Sequence, residues 1–233
     1  MNRREFITGA SIAAPLFVPR SAWGANDRLT FGAIGVGNRG RWLKNTFQKL
    51  GAQCVALCDV YQPYLETARS TSPDARTYED YREMLAAKGM DFVMIATPDH
   101  HHCPMLRDAL NSGLDVYLEK PLSLTLEESV LMVEAGRKSR QIVQVGMQRR
   151  SMSFIRNARE FIREGGLGRI SMVEAFWNWH FQLPLDDSPL PGKLNWNLFL
   201  GSAPKRPLEP KRFRWWRGFW DYSGGNMTDQ GTH

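Results

Sequence analysis

Gly35-Val36-Gly37-Asn38-Arg39-Gly40 is a GxGxxG run, and Asp59 follows Gly40 by 19 residues. Each part suits recognition of a dinucleotide. The first glycine permits a tight turn, the second lets backbone approach a pyrophosphate, and the third lets a helix pack close to a strand. The N-terminus of that helix then offers free N–H groups to the phosphates. A carboxylate at 59 can accept hydrogen bonds from ribose hydroxyls, and its charge opposes a 2′-phosphate. The pattern favours NAD over NADP, with Arg39 or Arg41 placed to soften that preference. Gly35, Gly37, Asn38, Arg39, Gly40 and Asp59 are the expected cofactor contacts.

The surrounding elements fit that reading. Leu29 to Val36 reads as a buried strand running into the glycine turn, and Leu43 with Phe47 has helical spacing. Gln53 to Leu57 reads as a second strand. Further strands are expected at Asp91 to Thr97, Asp115 to Leu118 and Ile142 to Met147. Helices are expected over Pro104 to Ser112 and over Leu124 to Ser139, the latter with Leu124, Val130, Leu131 and Val133 as its apolar candidates. Strands separated by helices imply right-handed crossovers and a parallel sheet. Ligands of such sheets bind beyond the C-terminal strand ends. Polar residues gather there: Asp59, Thr97-Pro98-Asp99, Glu119-Lys120-Pro121 and Gln148.

Other groups carry less chemistry. His100, His101, His102 and Cys103 look like metal ligands, but adjacent side chains diverge and no second cluster completes a site. No metal is expected. Cys54 and Cys58 are four apart on a strand, so both should face one side as buried structural thiols. Six of the eight tryptophans lie between 177 and 220. Trp177 and Trp179 fall on an expected strand from Ile170 to His180. Lys205, Arg206, Lys211, Arg212, Arg214 and Arg217 are interleaved with aromatics. Prolines at 204, 207 and 210 make that stretch an irregular loop, with anionic-sugar recognition a better minority reading than nucleic-acid binding.

Composition narrows the class. The chain has 233 residues, 42% hydrophobic and 23% charged, as in an ordinary globular protein. Its formal charge is +6, and Arg3, Arg4 and Arg20 against Glu5 put part of that in residues 1–24. The remainder is too dispersed to argue for nucleic acid. Three cysteines are too few for a disulfide scaffold. Residues 1–24 read as an export signal: Arg3-Arg4-x-Phe6, a weakly apolar stretch to Val18, then Ala22-Trp23-Gly24 before Ala25. The stretch is too short to span a bilayer. The paired arginines resemble a twin-arginine signal, which implies the matching export machinery as a partner and a periplasmic location.

Together the motifs resemble the glucose–fructose oxidoreductase, inositol dehydrogenase and rhizopine-catabolism (Gfo/Idh/MocA) family. The resemblance rests on GVGNRG at 35–40, TPDHHH at 97–102, EKPLSLT at 119–125 and VGMQRR at 145–150. GRI at 168–170, NWNLFLGSAP at 195–204 and SGGNMTDQGTH at 223–233 extend it. It implies a doubly wound Rossmann domain, here 28–148, followed by an α+β open-sheet substrate domain that begins at 149. It implies Lys120 beside the nicotinamide and substrate, and an Asp229/His233 pair from the D-x-G-x-H arrangement. Thr97, Pro98, His102, Glu119 and Gln148 join the cofactor contacts on the same ground. The family often has asparagine where this chain has Asp99.

Hydride removal from a secondary alcohol requires the hydroxyl proton to leave, and a base with a pKa near working pH serves best. The assignment is His233 as acid–base, Lys120 as proton partner and substrate anchor, and Asp229 as substrate positioner. At i, i+4 on a helix, Asp229 and His233 share a face. The expected activity is NAD(P)-dependent oxidoreduction of a sugar, cyclitol or polyol. The alternatives are a redox-neutral NAD-dependent glycosidase and a non-catalytic dinucleotide-binding fragment. Export calls for a tightly held cofactor. Residues 149–233 are few for an open-sheet domain, so the chain reads as an N-terminal portion of a longer enzyme, oligomeric when complete.

Overall fold

The computed structural model describes residues 28–176 and 185–232. The residues assigned to the export signal, Trp177 and Trp179, and His233 lie outside these.

Six parallel strands form one sheet in the order β3-β2-β1-β4-β5-β6. They are β1 (Thr30–Ile34), β2 (Gln53–Cys58), β3 (Arg76–Tyr78), β4 (Phe92–Ile95), β5 (Asp115–Glu119) and β6 (Val143–Gly146). This is the doubly wound order, with the chain reversing direction across the sheet between β1 and β4. Helices α1 (Asn38–Lys49) and α2 (Gln62–Arg69) cover one face. Helices α3 (Tyr81–Ala86), α4 (His102–Asn111) and α5 (Leu126–Lys138) cover the other.

The cores follow from the strand pattern. On the α1 side Phe31, Ala33, Leu43, Leu57 and Met94 are buried together. Phe31 stacks on Phe92 at 5.2 Å between centroids, and Phe47 meets the same ring edge-on at 5.4 Å. On the other side Ile34, Val93, Ile95, Leu106, Val116 and Leu118 close against Met84 and Met132. The helix over 126–138 forms, but its buried stripe is not the expected one. Val130, Leu131 and Val133 are exposed, while Met132 is 2% exposed. The helix packs chiefly on α4, and Met132 and its neighbour Ala135 are what it contributes to that core.

Two thiols also depart from expectation. Cys54 packs on the α1 side and Cys58 on the other. The β1–β2 register runs Phe31↔Cys54 and then Gly32↔Ala56, skipping Val55. That extra residue is a bulge, and it flips every later side chain to the opposite face.

After β6 the chain forms α6 (Ser153–Arg163), exposed along its length. Residues 170–176, the described part of the expected strand from Ile170, form no strand. From 190 the chain returns to the sheet. Gln62 N–H donates to the Lys193 carbonyl at 2.9 Å, and Asn195 N–H to Val60 at 2.8 Å. Short helices α7 (Trp196–Leu200), α8 (Pro210–Arg214) and α9 (Gly225–Gly231) then lie over the C-terminal strand ends. Phe199, Leu200, Phe213 and Tyr222 bury themselves against Tyr61 there.

Candidate active site

The glycine turn is built by close approach. Gly35 sits at φ +77°, and its N–H donates to the Cys58 carbonyl at 2.8 Å, tying the end of β1 to β2. A Cβ on Gly40 would fall 1.8 Å from the Gly35 carbonyl oxygen. No side chain fits there, so α1 starts tight against the strand. Gly37 is the N-cap of α1, and no side chain caps the helix or adds acid to its first turn. The free N–H groups and the positive end of the helix dipole are therefore left for an anion. This cradle fits a dinucleotide pyrophosphate.

Asp59 stands at the end of β2. One carboxylate oxygen accepts the Val36 N–H at 2.8 Å and the other the Tyr61 N–H at 2.9 Å. Burial outweighs these bonds and pushes its pKa up to about 6. The carboxylate keeps acceptor capacity for a ribose hydroxyl.

These groups open onto a cavity of about 550 Å³. Gly35, Gly37, Asn38, Arg39, Gly40, Asp59, Thr97 and Pro98 line its sheet side. Asn197, Phe199, Gly201, Arg214, Trp216 and Arg217 line the opposite side. The second wall was not read from the sequence. Its signal was the NWNLFLGSAP motif, whose Asn195 side chain caps α7 by accepting the Leu198 N–H at 3.1 Å.

The histidine turn performs a different task from the one expected. His102 is fully buried and does not line the cavity. Its Nδ1 lies 2.7 Å from the Pro121 carbonyl and its Nε2 3.0 Å from that of Thr97, and the neutral ring, with one N–H, donates to one of the two between the loops after β4 and β5. His101 faces the cavity instead. His100 and His101 both place Nε2 on the Phe199 carbonyl, at 2.9 and 2.8 Å, which ties α7 to the sheet. Burial drives His101 down to about 3 and His102 to about 4. Among the described residues no group of three or more His, Cys, Asp or Glu could hold a metal.

Glu119 and Gln148 are placed otherwise than as direct cofactor contacts. Glu119 is 4% exposed, and its Oε1 accepts Nε and Nη2 of Arg39 at 2.8 and 2.6 Å. It therefore positions Arg39 across the strand ends. Gln148 is exposed on the turn after β6 and does not line the cavity.

Lys120 and Asp229 come together. Lys120 Nζ donates to Asp229 Oδ1 at 2.7 Å and to its backbone carbonyl at 2.8 Å. Their side chains are 12% and 9% exposed. Burial alone would raise the Asp229 pKa, but Lys120 and Arg217 outweigh it and hold the carboxyl below its usual range. Asp99, on the turn after β4, is wholly buried. Burial pushes it up to about 7. Its Oδ2 accepts the Gly224 N–H at 3.4 Å, just before the helix that carries Asp229, and its Oδ1 has no partner among the described residues.

Comparison with known proteins gives a family context. Residues 29–147 match the model described as "Oxidoreductase family, NAD-binding Rossmann fold" (GFO_IDH_MocA). Residues 156–233 match "Oxidoreductase family, C-terminal alpha/beta domain". A glycosyl hydrolase family 109 protein of Stenotrophomonas maltophilia is 34% identical over 142 residues, covering 55% of this chain and 31% of that protein. An inositol 2-dehydrogenase of Salmonella paratyphi B is 30% identical over 151 residues, covering 62% and 44%. The chain thus aligns with less than half the length of these curated relatives. The scyllo-inositol dehydrogenase of Lactobacillus casei, solved with bound NAD(H) and scyllo-inositol, superposes with a TM-score of 0.56. It is 26% identical, and the match covers 60% of this chain and 42% of that one.

Proposed function

This chain belongs to the Gfo/Idh/MocA oxidoreductase family, and from that premise we propose that it serves hydride transfer between NAD and a hydroxyl-bearing carbon of a sugar, cyclitol or polyol. Bound NAD supplies the hydride acceptor. The protein supplies the cradle for its phosphates at Gly37–Gly40, the ribose acceptor at Asp59, and the proton handling. One observation carries the reading: Lys120, just past β5, is held by Asp229, and although neither lines the cavity, the same Asp229 oxygen meets Arg217, which does.

Lys120 hydrogen-bonds the substrate hydroxyl at Nζ and shares its proton. Asp229 fixes the ammonium group through two contacts and, in this proposal, accepts a neighbouring hydroxyl. His233, four residues past Asp229, is the proposed acid–base. Residues 28–148 form the cofactor unit and 149–233 the start of the substrate unit. Export through residues 1–24 is part of the same proposal, since a cofactor held through the cycle suits an exported enzyme.

The test is turnover by NAD-loaded protein on a panel of sugars and cyclitols, read as NADH absorbance. Lys120→Met should lower the rate by about 10²–10⁴-fold while NAD still binds. Unchanged turnover in that variant removes Lys120 from the chemistry. A second reading draws on the family 109 relative: a redox-neutral glycosidase. It predicts phenol release from an aryl glycoside without net NADH.

A further inference from the structure

The basic stretch beside the cavity is largely neutralised from within. Arg206 and Arg212 both reach Asp221 Oδ2, at 2.9 and 3.1 Å, and Arg212 also grips Glu209. Lys211 holds Asp187 at 3.0 Å. Arg214 donates to the carbonyls of Asp186, Ser188 and Pro189 at 3.1, 2.6 and 3.2 Å. Arg39, across the cavity, is neutralised by Glu119.

Arg217 differs. Its polar contact among the described residues is a 3.4 Å approach to Asp229 Oδ1. Lys120 already holds that oxygen at 2.7 Å. One carboxylate thus faces two cations, and the cluster keeps one net positive charge. Asp99 does not fully restore the balance, because burial raises its carboxyl to about 7. Arg217 is also the accessible member. Its side chain is 51% exposed and lines the cavity, against 12% for Lys120 and 9% for Asp229. The Arg217 Cζ lies over the Trp216 ring, 4.1 Å from its centroid. A planar, five-donor cation resting over an aromatic ring suits a bidentate carboxylate.

We infer that Arg217 is a specificity-determining residue that selects substrates bearing a carboxylate near the reacting carbinol, which makes the substrate class acidic sugars or polyols. The inference rests on the oxidoreductase reading above for the location of the reacting carbon. The competing occupant of Arg217 is the cofactor pyrophosphate, which shares the cavity.

Calorimetric titration of NAD-loaded protein with glucuronate against glucose, and galacturonate against galactose, separates these. For at least one pair the acid should bind at least about 10-fold more tightly than its neutral partner. Arg217→Gln should abolish the preference, and Arg217→Lys should retain part of it, since a point charge remains without the planar fork. The NAD Kd should move by less than about twofold, because the free amides of α1 carry the phosphates. Equal binding of acid and neutral sugar, binding of neither, or a preference that survives Arg217→Gln overturns the inference. So does about a tenfold loss of NAD affinity, which would assign Arg217 to the pyrophosphate. The readout is binding, so a bound acid that yields no NADH would sink the oxidoreductase reading and leave standing only the carboxylate site at Arg217.

Discussion

Residues 30–146 and residues 190–232 both bury aromatic and aliphatic side chains, yet they are held by different means. The first region is a hydrogen-bonded ladder of six strands with an apolar layer on each face. The second has helices of five, five and seven residues, too short to be stable alone. It is fixed by tethers to the sheet: the Phe199 carbonyl under two imidazoles, Tyr61 on the Pro191 carbonyl, and an aromatic cluster. Within it, Phe199 stacks on Trp196 at 5.0 Å and meets Phe213 edge-on at 5.3 Å. The sheet makes the cradle, and the tethered segment makes the wall opposite it. Stability in the second region is therefore a property of docking rather than of its own secondary structure.

Three substitutions probe that contrast, in falling order of effect. Gly40→Ala strikes the ladder side, where a Cβ would meet backbone that cannot retreat. It should cost more than about 3 kcal/mol in a denaturant melt and abolish NAD binding. A variant that melts like the parent would show that the strand–helix contact is slack. Phe199→Ala strikes the docking side and should cost about 3 kcal/mol, confined to 190–232. Hydrogen exchange should then accelerate in that segment while β1, β2 and β4 keep their protection. Loss of protection in both regions would mean that they unfold as one unit.

Asp99→Asn is the mildest and depends on pH. Burial raises the Asp99 carboxyl to about 7 from its ordinary 3.8. Between about pH 4 and 7 the folded chain keeps a proton that the unfolded chain has released, so stability falls as pH rises through that window. Asp59, raised to about 6, adds to the same slope. Asparagine cannot ionise, so the variant should be about 2 kcal/mol more stable than the parent at pH 8 and lose the Asp99 part of the slope. An unchanged slope in stability against pH would show that Asp99 ionises freely in the folded chain.

The same contrast explains what the sequence revealed. β1, the glycine turn, α1, β2 and Asp59 were legible because strand run, turn chemistry and acid spacing are local signals. Residues 60–90 carry little local signal. β3 has three residues and α3 six, too few for periodicity to register. The bulge at Val55 leaves no mark in composition, so the two thiols were placed on one face. His102 was expected at the cleft because its motif lies beside it. The carbonyls that face its ring nitrogens belong to Thr97 and Pro121, and only the folded loops bring them near. The Arg39–Glu119 pair joins residues 80 apart. Lys120 and Asp229 were nominated by family motifs, whereas the bond between them depends on how the second region docks.

The histidine turn has one more consequence, for how the molecule takes up acid. The sequence has five histidines, and ordinary counting would make them its buffer near neutrality. His100, His101 and His102 are all driven below the usual imidazole range by burial. A carbonyl oxygen has two lone pairs, so the Phe199 carbonyl can accept an N–H from His100 and from His101 together, each as the Nε2–H tautomer. Both rings are then neutral and fixed in orientation. From pH 7 to 5 Asp59 and Asp99, raised to about 6 and about 7, take up protons at this end of the sheet. At the strand ends, mild acid titrates aspartates while His101 and His102 stay silent.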